Sequence, residues 1–380
     1  MAEGISVAYA KEYLPNAMDR AVAVHFEAQG WDALFSPKTK VVLKPNLLMK
    51  RAPERVTTTH PELLAAVARR LKGLGVETIV LADSPGGPYT RPLLADLYRG
   101  CGMQRAAQET GITLNTDTGW KLLEYPKGKL VRQFNIISPV AEADVVINLP
   151  KLKSHGMMTM SGAVKNLFGC IPGLQKPEMH FRFPEQMDFG QMLLDLAGLV
   201  APAITIVDAV ESMEGDGPSA GEKRHTGVTF AGANTYLLDR ALCEFIGFDP
   251  ARVPTAARAV ELGFAPQAAC GIAYLGEGKP VSLRDFHYPT SAKRLDFISH
   301  LPPFLRGAGS WVRDRALTPK PVIIENKCIG CGKCEESCFP KAVTVQNGIA
   351  VIVESKCIKC YCCHEMCPVS AIQIKRSILS

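Results

Sequence analysis

Nine of the thirteen cysteines in this 380-residue chain lie between Cys328 and Cys367. They form two copies of one spacing. Cys328, Cys331, Cys334 and Cys338 recur 29 residues later as Cys357, Cys360, Cys363 and Cys367, each set reading C-x2-C-x2-C-x3-C. The flanks repeat too: Val322-Ile323-Ile324-Glu325 matches Val351-Ile352-Val353-Glu354, and Ala342-Val343 matches Ala371-Ile372. Two self-similar halves predict two equivalent sites. Thiols this dense in a reducing compartment point to metal ligation before disulfides. Zinc also uses paired C-x2-C units, but it takes four ligands and separates its pairs by a longer loop. The ninth cysteine, Cys362, sits between ligand positions and is expected as small buried filler.

The double spacing resembles that of the bacterial-type 4Fe–4S ferredoxin. In that arrangement three close thiolates reach one cubane and the fourth reaches the other, so the halves interlock. The resemblance implies two 4Fe–4S clusters. Cluster I would take Cys328, Cys331, Cys334 and Cys367, and cluster II would take Cys357, Cys360, Cys363 and Cys338. One departure is local: Pro368 directly follows Cys367, whereas Phe339 separates Cys338 from Pro340. Lys327, Lys333, Lys356 and Lys359 are spaced to offset the negative charge that the clusters would bring.

Something larger must precede this tail. Short apolar runs (Val41 to Leu43, Thr78 to Ala82, Asp144 to Asn148, Ile204 to Val207, Val228 to Phe230) alternate with amphipathic stretches, one of them a helix near His60 to Leu74. Continuous β-branched runs separated by helices predict an α/β domain with a largely parallel sheet. The expected organisation is an α/β domain over 1–295, a connector over 296–317 and a small α+β two-cluster ferredoxin-like domain over 318–380.

Open α/β sheets place ligands at the carboxyl ends of their strands, and polar residues gather there. "KPN" (Lys44 to Asn46) leads into "TTTHPELL" with His60, and "ADSPGG" holds Asp83 to Gly87. "PKLKSHGMMTMSGAVKNLFG" holds Lys151, Lys153, His155, Lys165 and Asn166, and "VDAVESMEGDGP" holds Asp208, Glu211, Glu214 and Asp216. Lysines beside asparagine donors suit a phosphate or carboxylate, and a helix N-terminus near Ser161-Gly162 would add donors. Lys44, Asn46, Lys151, Lys165 and Asn166 are therefore expected to form an anion pocket. His155 and Lys153 are its expected catalytic groups, His155 because its ordinary pKa lies near neutrality. The acidic stretch from Asp208 to Asp216 reads either as a solvated loop or as oxygen ligands for a divalent cation. Cys170 reads as buried filler.

These stretches, in this order, resemble the family catalogued as domain of unknown function 362, whose members are described as uncharacterised iron–sulfur centre proteins that often carry such a tail. The resemblance covers about residues 5–265 and rests on "LKPN", "TTTHP", "DSPGG", "PKLKSH", "GAVKNLFG" and "MEGDGP". After Phe230 the family's Ser-x-Asp-Pro-Val segment is replaced by "AGANTYLLDR", in which Asp239 matches the aspartate that follows. The family name supplies no reaction.

Two readings of function follow. In the first, an iron–sulfur oxidoreductase passes electrons between its clusters and an anionic small molecule, substrate or cofactor, in the α/β domain. In the second, a non-catalytic electron carrier or binding protein uses its clusters to serve a redox partner protein or to brace the fold. A formal charge of +6 is far from the basic stripe of a nucleic-acid binder. No apolar run approaches the roughly 18–20 residues of a membrane span. The first residues show no basic and apolar leader, so a cytoplasmic location is expected.

Overall fold

Val41, Val42 and Leu43 are buried on both faces of the sheet they enter: Val41 and Leu43 join one apolar cluster, and Val42 joins another. That two-sided burial is why the run is apolar throughout instead of alternating. The computed structural model describes residues 4–292 and 319–375. The connector expected at 296–317 lies outside the described residues.

The strands are β1 (Ile5–Tyr9), β2 (Lys40–Pro45), β3 (Thr78–Leu81), β4 (Thr113–Leu114), β5 (Trp120–Glu124), β6 (Gln133–Ile137), β7 (Val145–Leu149), β8 (Lys151–His155), β9 (Thr159–Ser161), β10 (Ile204–Glu214), β11 (Glu222–Gly232) and β12 (Tyr274–Gly276). Ten of them share one sheet in the order β12-β1-β11-β10-β7-β2-β3-β4, with β8 pairing β10 and β9; β5 and β6 form a separate hairpin. Strands β4, β3, β2, β7 and β10 run parallel. Strand β11 runs antiparallel between β1 and β10. Helices cover both faces: Pro15–Gln29 and Pro61–Gly73 on the side of Leu43, and Gln186–Val200 on the side of Val42.

Local signals set the helix boundaries. Pro61 occupies the first turn of its helix, where a missing N–H costs nothing, and the His60 ring accepts from Glu62 N. Gly30 ends the first helix at φ 66°, a left-handed position that a side chain would strain.

Beyond the connector, β13 (Lys320–Ile323) pairs antiparallel with β16 (Ile372–Lys375), and β14 (Val343–Gln346) pairs with β15 (Ile349–Ile352). The sequence repeat is also a backbone repeat. Gly330 and Lys359, Gly332 and Tyr361, and Lys341 and Ser370 are equivalent pairs, and all six residues have positive φ. Each half carries a one-turn helix, Lys333–Glu336 and Cys362–Glu365. The α/β fold with a largely parallel sheet and a small tail of short antiparallel strands is the expected one. No helix among the described residues is long and apolar enough to cross a membrane.

Two local expectations are corrected. Ile204 to Val207 is only the start of β10, which continues to Glu214, so Glu211 and Glu214 lie on a strand and not in a loop. Pairing with β11 down to Glu222 holds the extension in place. The helix beginning after Gly162 spans only Ala163–Asn166, and its first N–H groups are taken by a carboxylate of the chain: Asp239 accepts from Ala163 N at 2.6 Å and Val164 N at 3.4 Å. Those two N–H groups are therefore spent within the chain and not on a ligand.

Candidate functional site

Parallel strands bring their following loops to one edge, and a cavity lies at that edge. Its free interior is about 80 Å³, below the range of drug-sized sites and suited only to a small ligand. Lys44, Asn46, Lys153, His155, Lys165 and Asn166 all line it. Lys44, last but one in β2, is fully buried and donates to Asp83 Oδ1 at 2.6 Å and to Pro45 O at 2.8 Å. Burial pushes the Asp83 carboxyl up, while Lys44 and the Leu47 N–H oppose that shift.

Asparagines hold the lysines in place. Asn46 Oδ1 accepts from Lys153 Nζ at 2.7 Å, and Asn46 Nδ2 donates to Asn166 Oδ1 at 2.9 Å. Asn166 in turn donates to Asn148 Oδ1 at 2.7 Å. Lys153 also donates to Thr57 O at 2.6 Å, and burial brings its ammonium down to about 7. The Lys165 ammonium sits 4.8 Å above the Phe168 ring and makes no hydrogen bond among the described residues.

The site contains residues that the sequence reading did not select. Lys176 donates to Ser84 Oγ at 2.9 Å and to Ile171 O at 2.7 Å, and burial brings it to about 7 as well. Its helix, Gln175–Arg182, follows no strand end, so no strand-end rule could find it. Ser337, Cys362, Glu365 and Met366 of the tail complete the wall. "CHEMCP" offered one clue, a carboxylate between thiol positions, but nothing in the sequence says which surface it meets.

His155 is 1 % exposed, and its Nδ1 accepts from Met157 N and Met158 N at 3.1 and 3.3 Å. Nδ1 therefore carries no proton, and Nε2–H faces Glu365 Oε1 at 3.2 Å without good alignment. Burial, reinforced by Lys165 and His180, holds the ring well below its usual pKa. His155 is thus a neutral imidazole whose ring proton sits on Nε2. Burial raises the Glu365 carboxyl, although Lys165 opposes it.

Lys151 does not join the others. It pairs with Asp208 at 3.1 Å and donates to Tyr13 Oη at 2.7 Å, in a separate buried group where Tyr13 stacks on His60 at 3.6 Å. The pairing of β8 with β10 loses register between Lys151 and Lys153, which sends the two lysines to different surroundings. The acidic residues also scatter into pairs of their own: Glu211 with Lys223 at 3.0 Å, and Asp216 accepting from Thr290 N at 2.7 Å. Glu214 does approach Glu222 and His287, but Arg224 lies 4.0 Å from it. Cys170 is buried in the core, as filler would be.

In the tail, Cys328, Cys331, Cys334 and Cys367 line one further cavity. Cys338 is among the groups felt by Cys357 and Cys363. Ala342 N and Ala371 N, equivalent in the repeat, donate to Cys338 Sγ and Cys367 Sγ, both at 3.1 Å. Among the described residues no three cysteine sulfurs lie within 4.8 Å of one another. Burial also pushes Cys334 up to about 11 and Cys363 well above the usual thiol range. Four neighbouring thiolates there call for a metal's charge.

Comparison with known proteins agrees with this layout. The family described as Domain of unknown function (DUF362) matches residues 41–244, and a 4Fe-4S dicluster domain matches residues 320–368. The Thylakoid-associated protein sll1697 of Synechocystis sp. is 31% identical over 315 residues, covering 80% of this chain and 93% of that protein. Two solved structures align with part of the chain. The lactate racemase apoprotein of Thermoanaerobacterium thermosaccharolyticum aligns at a TM-score of 0.39 and 16% identity over 64% of this chain. A Thermotoga maritima protein aligns at 0.31 and 12% over 53%. The chain spans little more than half of each, 57% and 51%.

Proposed function

Since the chain belongs to the family described as Domain of unknown function (DUF362) and carries a 4Fe-4S dicluster domain, we propose that it is an iron–sulfur oxidoreductase whose substrate or cofactor is a small anion bound in the cavity. One observation carries this reading: the wall of the cavity is shared between lysines of the α/β sheet and the cysteine-bearing tail. A group held there lies against both a source of positive charge and the segment that would hold the clusters.

Cys328, Cys331, Cys334 and Cys367 would hold one cluster and Cys338, Cys357, Cys360 and Cys363 the other, each supplying one-electron chemistry when bound. Lys165 meets the anion with an unshared ammonium, and Lys153 and Lys176 add charge-assisted hydrogen bonds. Asn46 and Asn166 fix where Lys153 points. His155, with its Nε2–H facing the cavity, is a neutral hydrogen-bond donor to the ligand. The tail excludes water from one side, which strengthens each of these contacts.

Anaerobic purification, followed by iron and sulfide analysis and mass spectrometry of released small molecules, tests the proposal. About eight irons and eight sulfides are expected, with a bound anion. Lys153→Ala and His155→Ala should keep the iron and lose the anion. Stoichiometric zinc would remove the redox reading, and variants that retain the anion would remove the pocket.

A further inference from the structure

The two halves of the tail are alike in sequence but not in position. Ser337 and Cys362 both line the cavity, and each immediately precedes a thiol of one ligand set, Cys338 and Cys363. The Cys362 thiol is hydrogen-bonded to Cys360 of the same set. Glu365 follows on the same one-turn helix, and the Lys165 ammonium feels both Glu365 and Cys362. No ligand cysteine of either set borders this cavity, but Cys328, Cys331, Cys334 and Cys367 line one of their own, where Cys331 is exposed and Ile329 is 63% exposed. From that set, Met366 next to Cys367 is an apolar side chain packed over Gly86, and Ser337 Oγ donates to the backbone Cys334 O at 3.2 Å.

We infer that the cavity is coupled to one cluster only, the one held by Cys338, Cys357, Cys360 and Cys363, and that the charge at Lys165 sets how readily that cluster accepts an electron. This rests on the ligand sets proposed above. Reduction adds one negative charge to a cluster, and a Coulomb interaction weakens with distance, so a cation at the cavity wall favours the reduced form of the nearer cluster. An anion seated on Lys165 acts in the opposite sense. Because binding couplings are reciprocal, reducing that cluster loosens the anion.

Redox titration of the full-length, iron-loaded chain, followed by electron paramagnetic resonance, tests this without any ligand. Cys338→Ser and Cys367→Ser each perturb one cluster and so assign the signals. Lys165→Gln is expected to make reduction of the cavity-side cluster about tenfold less favourable, about 59 mV for a one-electron couple, and Lys165→Glu should move it further. Neither should move the other cluster. Lys333→Gln, an exposed change beside Cys334, should lower only that other cluster. Equal shifts of both clusters with Lys165→Gln, or no shift while Lys333→Gln still acts, would overturn the inference. Either failure leaves the anion-binding proposal standing, since that is judged by released ligand. Wild-type protein that takes up no iron would defeat both.

Discussion

Lys153 and Lys176 stand out among the residues of the cavity because their hydrogen bonds go to neutral oxygens, Asn46 Oδ1 and Thr57 O for one and Ser84 Oγ and Ile171 O for the other. Without a carboxylate beside them, burial dominates and brings both down to about 7. Between about 7 and the ordinary lysine value near 10.4 the unfolded chain holds more protons than the native one. Their contribution to stability therefore rises with pH through that window. Anion binding has the opposite dependence, because it needs the ammonium form. Binding at pH 8 should then take up protons and weaken as pH rises from 7 to 9. Calorimetry with inorganic phosphate in two buffers of different ionisation enthalpy measures that uptake. A buffer-independent heat would show that these lysines are not at the anion.

Asp239 acts on the element above it. Its carboxylate closes the N-terminus of the one-turn helix Ala163–Asn166, which carries Lys165 and Asn166 into the cavity. Gly162 must be glycine there, because a Cβ would run into the Asp239 carboxylate. Asp239→Ala leaves buried N–H groups unpaired, at a cost of about 1–3 kcal/mol. We expect a lower Tm together with weaker anion binding, since the cap and the site share the helix. Gly162→Ala should reproduce both effects. Unchanged melting of Asp239→Ala would mean that water replaces the cap.

For the whole molecule, the question is what keeps the tail on the sheet. Ser219 Oγ donates to Glu365 O at 2.9 Å, Arg51 Nη2 donates to Cys367 O at 3.2 Å, and His364 Nε2 lies 3.3 Å from Asp216 O. The first two contacts reach backbone of the segment 364–367 and the third uses its His364 side chain, so all three depend on its shape. The tail's buried apolar cluster is small and includes Cys334, Cys338, Cys363 and Cys367. So little apolar burial does not hold a fold this short by itself, and metal binding would supply the remainder. Removing iron with a chelator should make the tail protease-sensitive while the α/β part stays resistant. Phosphate affinity should fall at least tenfold as the cavity loses a wall. Retained affinity after tail cleavage would place the anion entirely on the sheet.

Spacing within a single segment was legible from the residues alone. The 29-residue repeat, the C-x2-C-x2-C-x3-C units and the buried runs at Val41 and Val145 each follow from local geometry, which sequence distance encodes directly. The strand-end motifs also named Lys44, Lys153, His155, Lys165 and Asn166, because the parallel edge is a consequence of topology class. Tertiary structure alone decided the rest. A register break beside Lys151 turned it toward Asp208, and β11 drew β10 out to Glu214. Asp239 arrived from 76 residues away to close a helix, and Lys176 and Glu365 came to the cavity from segments that carry no strand-end signal. Each of these depends on where separate segments pack. Packing is a sum of weak contacts over the whole molecule, and no single stretch of sequence contains it.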